Sequence, residues 1–285
     1  MLPIDDADRR PARPVSAAEA WKITADRPDR CALFFDFDGT LAPVQDDPTA
    51  VFPVPGVTEA LSALARVVGR VAIVSARPVE FLRDRFPGMP DVDLYGLYGL
   101  ERSHGGGVTE TDPTALAWEP TMAELADLAR AELPEGAGVE YKRLSVALHY
   151  RRAPHLRDAV ERWGRAQADR LGATAQGGRM VVELKPPVRL DKGTVLHRAL
   201  NGFDCAWYFG DDVSDLQAFA AVRARAAGDA GFLGVCVAVA NPETGHEVSS
   251  SADLTLDSPV ALAGFLRTGL ALLTAPTGTP DATAH

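Results

Sequence analysis

Three short apolar runs along the chain each lead directly into a polar functional group: Cys31–Phe35 before Asp36, Val71–Val74 before Ser75, and Ala206–Phe209 before Gly210 and Asp211. Short apolar runs bounded by turn residues are typical of fully buried strands in a parallel sheet. Between the first two runs, the apolar side chains of residues 56–68 recur at helical spacing. Because strand, helix and strand follow one another, the pattern predicts right-handed βαβ units. We therefore expect an α/β fold with a Rossmann-like parallel sheet.

The pattern changes between residues 114 and 187, where apolar and polar residues alternate and the helices are amphipathic. The predicted elements are a helix at Thr121–Glu132, a strand at Val139–Arg151, a helix at His155–Leu171 and a strand at Met180–Leu184. Such alternation is typical of an antiparallel sheet with one open face. We expect an α+β cap, or lid, at residues 114–187, inserted into a core of residues 1–113 and 188–275.

The parallel pattern resumes after residue 187 and ends in a polar tail. A helix is predicted to begin at Lys192, strands at Val235–Val239 and Leu254–Leu256, and a last helix at Leu262–Leu273. Residues 1–28 are polar and contain Pro and Arg, which predicts a loosely held leader with a short helix at 16–24. Residues 276–285 are small and polar, which predicts a disordered tail.

Composition and charge exclude several classes of partner. No apolar run approaches the roughly 20 residues that span a bilayer, so we expect no membrane partner. The first residues lack the basic and apolar regions of a signal peptide, and the three cysteines have no metal-type spacing, which favours free thiols in the cytoplasm. The formal net charge of −10 argues against a nucleic-acid partner and leaves small molecules. The sequence does not define the oligomeric state, and a monomer is the simplest expectation.

The polar groups that follow the three apolar runs are expected to meet. Parallel strands bring their carboxyl ends to one edge of a sheet, so Asp36, Ser75 and Asp211 should lie in one cleft. Asp36 and Asp38 are one residue apart and would repel each other when buried, unless a cation is present. Mg²⁺ suits such clustered oxygen ligands. A helix cap or a turn would explain any one of these residues, but not all of them together with Lys192.

The residues Asp36-Phe37-Asp38-Gly39-Thr40-Leu41 resemble the first motif of the haloacid dehalogenase superfamily. Ser75, Lys192 and the pair Asp211-Asp212 stand in the order of that superfamily's later motifs. The resemblance covers residues 30–260. It implies a haloacid dehalogenase-like core and a magnesium-dependent phosphatase that works through an aspartyl-phosphate.

On this resemblance each residue has an expected role. Asp36 is the nucleophile, and Asp38 is the acid for the leaving group and then the base for water. Ser75 donates to a phosphoryl oxygen, and Lys192 neutralises the nucleophile and the phosphate. The expected magnesium ligands are Asp36, Asp38 (through its backbone carbonyl), Asp211 and Asp212. For Asp215, as for Asp212, two alternatives stay open: holding metal-bound water or orienting Lys192.

Short motifs in and beside the lid narrow the resemblance. They are Glu140-x-Lys142, the run from Ser145 to Arg151, Glu183-Leu184-Lys185-Pro186 and Asp191-Lys192-Gly193. These are similar to motifs of the trehalose-6-phosphate phosphatases, in which lid residues hold the sugar hydroxyls; this implies Glu140, Lys142 and Glu183 here. Phe37 and Arg77 are expected to complete the substrate site with Asp36 and Asp38. The alternative for each lid residue is an exposed salt bridge on a strand.

Three departures from that family's pattern leave the identity of the substrate's sugar undecided. Tyr98 stands where a histidine is frequent, Ala76 replaces a glycine, and Leu216 stands where an acidic residue is common. The expected reaction is hydrolysis of trehalose 6-phosphate, and the alternative within the enzyme class is another phosphorylated disaccharide or pseudosaccharide. From a different class, an inactive phosphosugar-binding regulator stays open, although the intact catalytic residues argue against it. His104 and His149 are expected to be ordinary loop and strand histidines.

Overall fold

The computed structural model describes residues 16–275, in which twelve β-strands form two sheets. The strands are β1 Cys31–Phe35, β2 Arg70–Val74, β3 Val92–Gly96, β4 Glu101–Ser103, β5 Glu110–Thr111, β6 Gly138–Tyr141, β7 Val146–His149, β8 Thr174–Gly178, β9 Val181–Lys185, β10 Cys205–Gly210, β11 Leu233–Val239 and β12 Leu254–Leu256. The α-helices are α1 Ala17–Asp26, α2 Val57–Ala65, α3 Val79–Arg85, α4 Pro113–Leu116, α5 Glu119–Glu132, α6 Arg157–Leu171, α7 Lys192–Ala199, α8 Asp215–Gly228, α9 His246–Ser251 and α10 Pro259–Thr274. Among residues 16–275, no helix is long and apolar enough to cross a bilayer. The predicted tail at 276–285 and the first part of the predicted leader, 1–15, lie outside the described residues.

The larger sheet follows the order β12–β11–β10–β1–β2–β3–β4–β5. The strands from β12 to β3 are parallel, and β4 and β5 extend the edge as an antiparallel hairpin. The predicted parallel sheet is therefore confirmed. Every residue of β1 and β10 is buried, as expected for strands that are covered on both faces. Because β1 lies between β10 and β2, the residues that follow these three strands share one edge.

The smaller sheet is antiparallel, in the order β6–β7–β9–β8, and lies between β5 and α7 in the chain. Helices α5 and α6 pack on it through a cluster that includes Leu125, Val160 and Leu148. Residues on and beside this sheet also line a cavity shared with the end of the core sheet. We call α5, α6 and β6–β9 the lid. The boundaries at residues 114 and 187, and movement of the lid as a unit, stay predictions.

The prediction of one strand over Val139–Arg151 was wrong. The chain forms the hairpin β6–β7, and its turn at 142–145 is closed by a hydrogen bond from Lys142 N to Ser145 O of 2.9 Å. Arg143 has a φ of 67° in this turn. The strand β8 and the helix α9 were not predicted, because both are short, polar segments without an apolar period.

An aromatic cluster supports the strand that leads to Asp211. Trp21 of α1 stacks on Trp207 of β10 with 4.4 Å between ring centroids, and Phe265 of α10 packs against both rings. Gly269 of α10 makes room for Trp21, because a Cβ at this position would lie 2.5 Å from the indole ring. The two helices thus hold β10 from the face on which Trp207 is buried.

Gly269→Ala is expected to destabilise the protein, because the added methyl group displaces Trp21 from its stack. Overpacking of this kind lowers the free energy of unfolding by about 1–3 kcal/mol. Gly264→Ala is the matched control on the same helix, since a Cβ there meets only Arg267 Nη2, at 3.8 Å. Alanine favours the helix, so the control should be neutral or more stable. Urea unfolding followed by circular dichroism measures both, and equal losses in the two variants would contradict the packing argument.

Candidate active site

Asp36, Ser75 and Asp211 lie together where β1, β2 and β10 end, and all three line one cavity. Their exposed fractions are only 5%, 1% and 5%. The Asp36 N–H donates to Phe209 O at 2.9 Å, so the ladder between β1 and β10 continues into the site. The expected meeting of these residues is thus observed, on the most buried part of the sheet.

Lys192 opens α7 and points its ammonium group at Asp36. Its Nζ lies 2.8 Å from Asp36 Oδ1 and 2.7 Å from Asp215 Oδ1. Burial lowers the pKa of Lys192, but Asp215 and Asp36 outweigh this effect and hold the pKa above its usual value. Asp191 caps the helix by accepting from Thr194 N at 2.7 Å. Lys192 is therefore a fixed positive charge beside Asp36.

Asp215 is fully buried and accepts four hydrogen bonds. Oδ1 accepts from Lys192 and from the Tyr208 hydroxyl at 2.7 Å each, and Oδ2 accepts from the N–H groups of Asp211 and Asp212 at 3.0 Å each. Of the two alternatives for this residue, the geometry favours orienting Lys192. The same carboxylate also holds the backbone of the loop before α8.

Asp211 is held by side chains from two other segments. Oδ1 accepts from Thr40 Oγ1 at 3.1 Å, and Oδ2 accepts from Asn241 Nδ2 at 2.8 Å. Gly39 has a φ of 84°, and a Cβ there would lie 2.1 Å from Asp211 Oδ2, so only glycine fits. Sequence reasoning missed Asn241. The available signal was its place two residues after β11, near the strand end at which Asp36 and Asp211 follow β1 and β10 directly.

The buried carboxylates carry more negative charge than Lys192 neutralises. Asp36, Asp211 and Asp215 each place one oxygen within 4.8 Å of the others. Burial raises the pKa of Asp36 to about 7, against the opposing effect of Lys192. Burial also raises the pKa of Asp211 well above its usual value, and Asp36 and Asp215 add to this effect. An all-oxygen set with surplus negative charge fits a hard divalent cation. Because Asp215 is already saturated, Asp36 and Asp211 offer the free lone pairs.

Asp38 and Asp212, two further predicted ligands, engage their side chains in other contacts. Asp212 Oδ1 accepts from Val213 N at 2.7 Å. Asp38 forms a two-point ion pair with Arg77, whose Nε and Nη2 each lie 2.8 Å from one of its oxygens. For Asp38 this leaves the backbone carbonyl as the group of the predicted metal set.

Arg77 joins the core to the lid. Besides its contact with Asp38, its Nη1 lies 3.2 Å from Glu140 Oε1. Burial lowers the pKa of Arg77, but the carboxylates of Asp38 and Glu140 raise it by more, so the pKa lies above its usual value. The Arg77 N–H donates to Ser75 Oγ at 3.1 Å, so the same residue orients the predicted phosphate donor.

Two of the three predicted sugar residues, Lys142 and Glu183, form a buried pair, whereas the partly buried Glu140 contacts Arg77 and His149. Glu183 Oε1 accepts from Ser145 Oγ at 2.7 Å and from Lys142 Nζ at 3.3 Å. Glu183 and Lys142 are 5% and 8% exposed, so an exposed strand salt bridge does not describe them. Lys142 lies in the β6–β7 turn rather than on the strand that carries Glu140. Burial raises the pKa of Glu140, but a hydrogen bond from His149 and the charges of Lys142 and Arg77 lower it to about 2.

Tyr98 reaches the lid from a strained turn of the core. Leu97, Tyr98 and Gly99 have φ values of 49°, 58° and 94°, a left-handed run that directly follows β3. The Tyr98 hydroxyl donates to Glu183 Oε2 at 3.1 Å. Burial and the nearby Glu183 carboxylate raise the pKa of Tyr98, so its hydroxyl stays a donor.

The cavity between core and lid has a volume of about 590 Å³. It is lined by Asp36, Asp38, Ser75, Arg77, Glu140, Lys142, Glu183, Lys192, Asp211 and Asp212 among others. Phe37 is the exception among the predicted residues, because its side chain packs in the core against Phe81 and Phe86 and only its backbone remains for a substrate. His104 lies apart, 3.1 Å from Asp93, whereas His149 lines the cavity and contacts Glu140 at 3.0 Å.

Comparisons with known proteins point to one family. The model of the family described as trehalose-phosphatase matches residues 34–259. The trehalose-phosphate phosphatase of Mycobacterium leprae is 34% identical over 275 residues, which are 90% of this chain and 62% of the relative. The chain therefore spans less than two thirds of that relative's length.

Solved structures share the fold at lower identity. The C-terminal domain of the trehalose-6-phosphate phosphatase of C. albicans has a TM-score of 0.73 at 21% identity, covering 91% of this chain and 98% of that one. The C-terminal domain of the Candida albicans trehalose synthase regulatory protein has a TM-score of 0.63 at 16% identity, covering 89% and 98%. These structures show the fold, and the family model that matches most of the chain's length shows that the chain belongs to the trehalose-phosphatase family.

Proposed function

We propose that the protein is a Mg²⁺-dependent phosphatase that hydrolyses trehalose 6-phosphate to trehalose and phosphate. One observation carries this proposal: a single cavity holds the Lys192–Asp36 pair at the core and Glu140, Lys142 and Glu183 on the lid. Groups suited to phosphate chemistry and groups suited to sugar hydroxyls thus face the same space. The relatives that carry the name trehalose-phosphate phosphatase support this substrate.

In the first step, an Asp36 oxygen attacks phosphorus while the bond from phosphorus to the sugar oxygen breaks. Lys192 holds Oδ1 of Asp36, which leaves Oδ2 for the attack. Asp38 gives its proton to the departing sugar oxygen. In the second step, water attacks the phosphorus of the aspartyl-phosphate, Asp38 takes a proton from that water, and Asp36 is released with inorganic phosphate. When bound by Asp36 and Asp211, Mg²⁺ supplies positive charge for the phosphate oxygens.

Asp38 can reach the leaving group only after it is released from Arg77, because guanidinium N–H groups engage both of its oxygens. A phosphate group competes for the same guanidinium, since Arg77 suits phosphate as well as carboxylate geometry. Arg77 would then move from Asp38 to the substrate. Binding of the phosphate group by Arg77 would thus be coupled to the release of Asp38 as the general acid.

The alternatives differ in what they require of the lid. Another phosphorylated disaccharide would use the same core chemistry, and Tyr98 in place of the frequent histidine is the residue that favours it. A regulator without activity has one supporting observation, the fold shared with the Candida albicans trehalose synthase regulatory protein. Phosphate release from a panel of sugar phosphates distinguishes the three.

Asp36→Asn is expected to abolish turnover and keep the fold, because the amide is isosteric but cannot attack phosphorus. Asp38→Asn should lower the rate by about 10²–10⁴-fold, the usual scale of acid-base assistance. Phosphate release from trehalose 6-phosphate measures both, with circular dichroism as the check on folding. A rate near that of the wild type in either folded variant would refute the assigned role.

The Mg²⁺ dependence should change with pH because of Asp36. Its pKa of about 7 lies above its usual value of 3.8, so the folded protein binds a proton more tightly than the unfolded chain. The stability of the metal-free protein therefore falls as the pH rises from about 4 to about 7. Mg²⁺ competes with this proton, so the rise in melting temperature on adding Mg²⁺ should be larger at about pH 8 than at about pH 5.5. The Asp36→Asn variant is the control and should lose most of this difference; equal rises at both pH values in the wild type would contradict the argument.

The lid residues should affect the sugar phosphate more than a small aryl phosphate. Loss of one charge-assisted contact in Lys142→Ala or Glu183→Ala should cost about 1.5–3 kcal/mol, or roughly ten- to over a hundredfold in kcat/KM for trehalose 6-phosphate. The slow hydrolysis of the aryl phosphate should change little, because it has no sugar to hold. Glu140→Ala should affect both substrates, since Glu140 also contacts Arg77. Parallel losses on both substrates in the first two variants would mean that these residues support the fold instead.

A further inference from the structure

An ion pair joins the lid to the core at the rim of the cavity. Arg151 follows β7, and Glu243 lies in the loop between β11 and α9. Arg151 Nη2 lies 2.9 Å from Glu243 Oε2, and Nη1 contacts Oε1, so the pair is a two-point contact. Their side chains are 22% and 26% exposed, and both line the cavity.

The loop that carries Glu243 also holds Asp211. The Glu243 N–H donates to Asn241 Oδ1 at 2.8 Å, and Asn241 Nδ2 donates to Asp211 Oδ2 at 2.8 Å. The turn is closed by Thr244 N donating to Asn241 O at 3.1 Å and by Asn241 N donating to Thr244 Oγ1 at 3.2 Å. The side-chain amide of Asn241 is therefore oriented by the same turn that Arg151 grips.

Three other contacts between lid and core differ from this one. Arg77–Glu140 and Tyr98–Glu183 engage groups that are assigned to the substrate, so the substrate competes with them. Arg143 contacts Glu101 at 3.1 Å, beside the segment that connects core and lid and away from Asp211. The Arg151–Glu243 pair involves no group assigned to phosphate or sugar, and it can persist when both are bound.

We propose that Arg151 and Glu243 are positioning residues: their ion pair forms when the lid closes and orients Asp211 through Asn241. Closure of the lid is thereby coupled to the carboxylate that faces the cation and the phosphate. When the lid opens, the turn at 241–244 loses its contact with Arg151, and only the turn's own hydrogen bonds hold the Asn241 amide toward Asp211. The inference rests on the proposed function for its consequence in catalysis, but its structural claim concerns cation affinity alone.

Titration with Mn²⁺, followed by electron paramagnetic resonance, tests that claim without any turnover. Arg151→Ala and Glu243→Gln should each weaken Mn²⁺ binding about fivefold or more, a usual scale for coupling between sites. Arg143→Ala breaks the pair with Glu101 of the core, which is also free of substrate groups, and a pair with Glu119 inside the lid, and it should leave Mn²⁺ affinity unchanged. Wild-type affinity in Arg151→Ala and Glu243→Gln would overturn the proposal, whatever the enzyme hydrolyses.

A double-mutant cycle tests the path through Asn241. Asn241→Ala should weaken Mn²⁺ binding at least as much as Arg151→Ala does. Adding Arg151→Ala to Asn241→Ala should then have no further effect, because the link is already broken. Independent, additive losses would overturn the path.

Activity separates positioning from direct contact with the sugar. If Arg151 acts through Asp211, kcat/KM should fall by a similar factor for trehalose 6-phosphate and for an aryl phosphate. A loss confined to the sugar phosphate, with normal Mn²⁺ affinity, would make Arg151 a sugar contact and overturn the proposal. If the protein hydrolyses no sugar phosphate, the proposed function fails, whereas the Mn²⁺ titration still decides the positioning role.

Discussion

A buried ammonium group between two buried carboxylates is the constraint on which the site depends. Lys192, Asp36 and Asp215 are 2%, 5% and 0% exposed, so each charge has lost its water and needs a partner. Asp215 also binds the Tyr208 hydroxyl and two backbone N–H groups. One carboxylate therefore ties α7, β10 and the start of α8 together, and the direction of Lys192 follows from that connection. Asp36 is left with one engaged oxygen and a surplus of negative charge around it.

The lid meets the core through charges that neutralise one another in the absence of substrate. Arg77 with Asp38 and Glu140, and Tyr98 with Glu183, satisfy polar groups that would otherwise be buried without partners. On the proposed function, a substrate would replace these contacts instead of adding to an empty site. Part of its binding energy is used to separate internal pairs, which favours specificity and a release of product over very tight binding.

Buried parallel strands were predictable because apolar residues and turn residues mark both of their ends. Leu254–Leu256 agrees with the prediction to the residue, and the expected edge that holds Asp36, Ser75 and Asp211 followed from the topology. The turn at 142–145 was missed because Lys-Arg-Leu-Ser contains none of the Gly, Pro or Asn residues that mark turns.

The side-chain contacts across the cleft could not be predicted from the sequence, for a different reason. The contact of Arg77 with Asp38 depends on side-chain directions from separate segments, which no spacing along the chain encodes. Asn241 carries no charge and belongs to no cluster in the sequence, so only the folded sheet brings it to Asp211.

The place of β1 in the middle of the sheet has a consequence for synthesis on the ribosome. β1 pairs with β10, and the register partners Cys31 and Cys205 are 174 positions apart. At the usual rate of about 5–20 residues per second, β1 waits roughly 9–35 seconds for this neighbour. During that time an apolar strand has one unpaired edge, and the lid, whose strands β6 to β9 pair locally, has all of its residues before β10 is made. The nascent chain thus contains the whole of the lid before the sheet of its core can be completed.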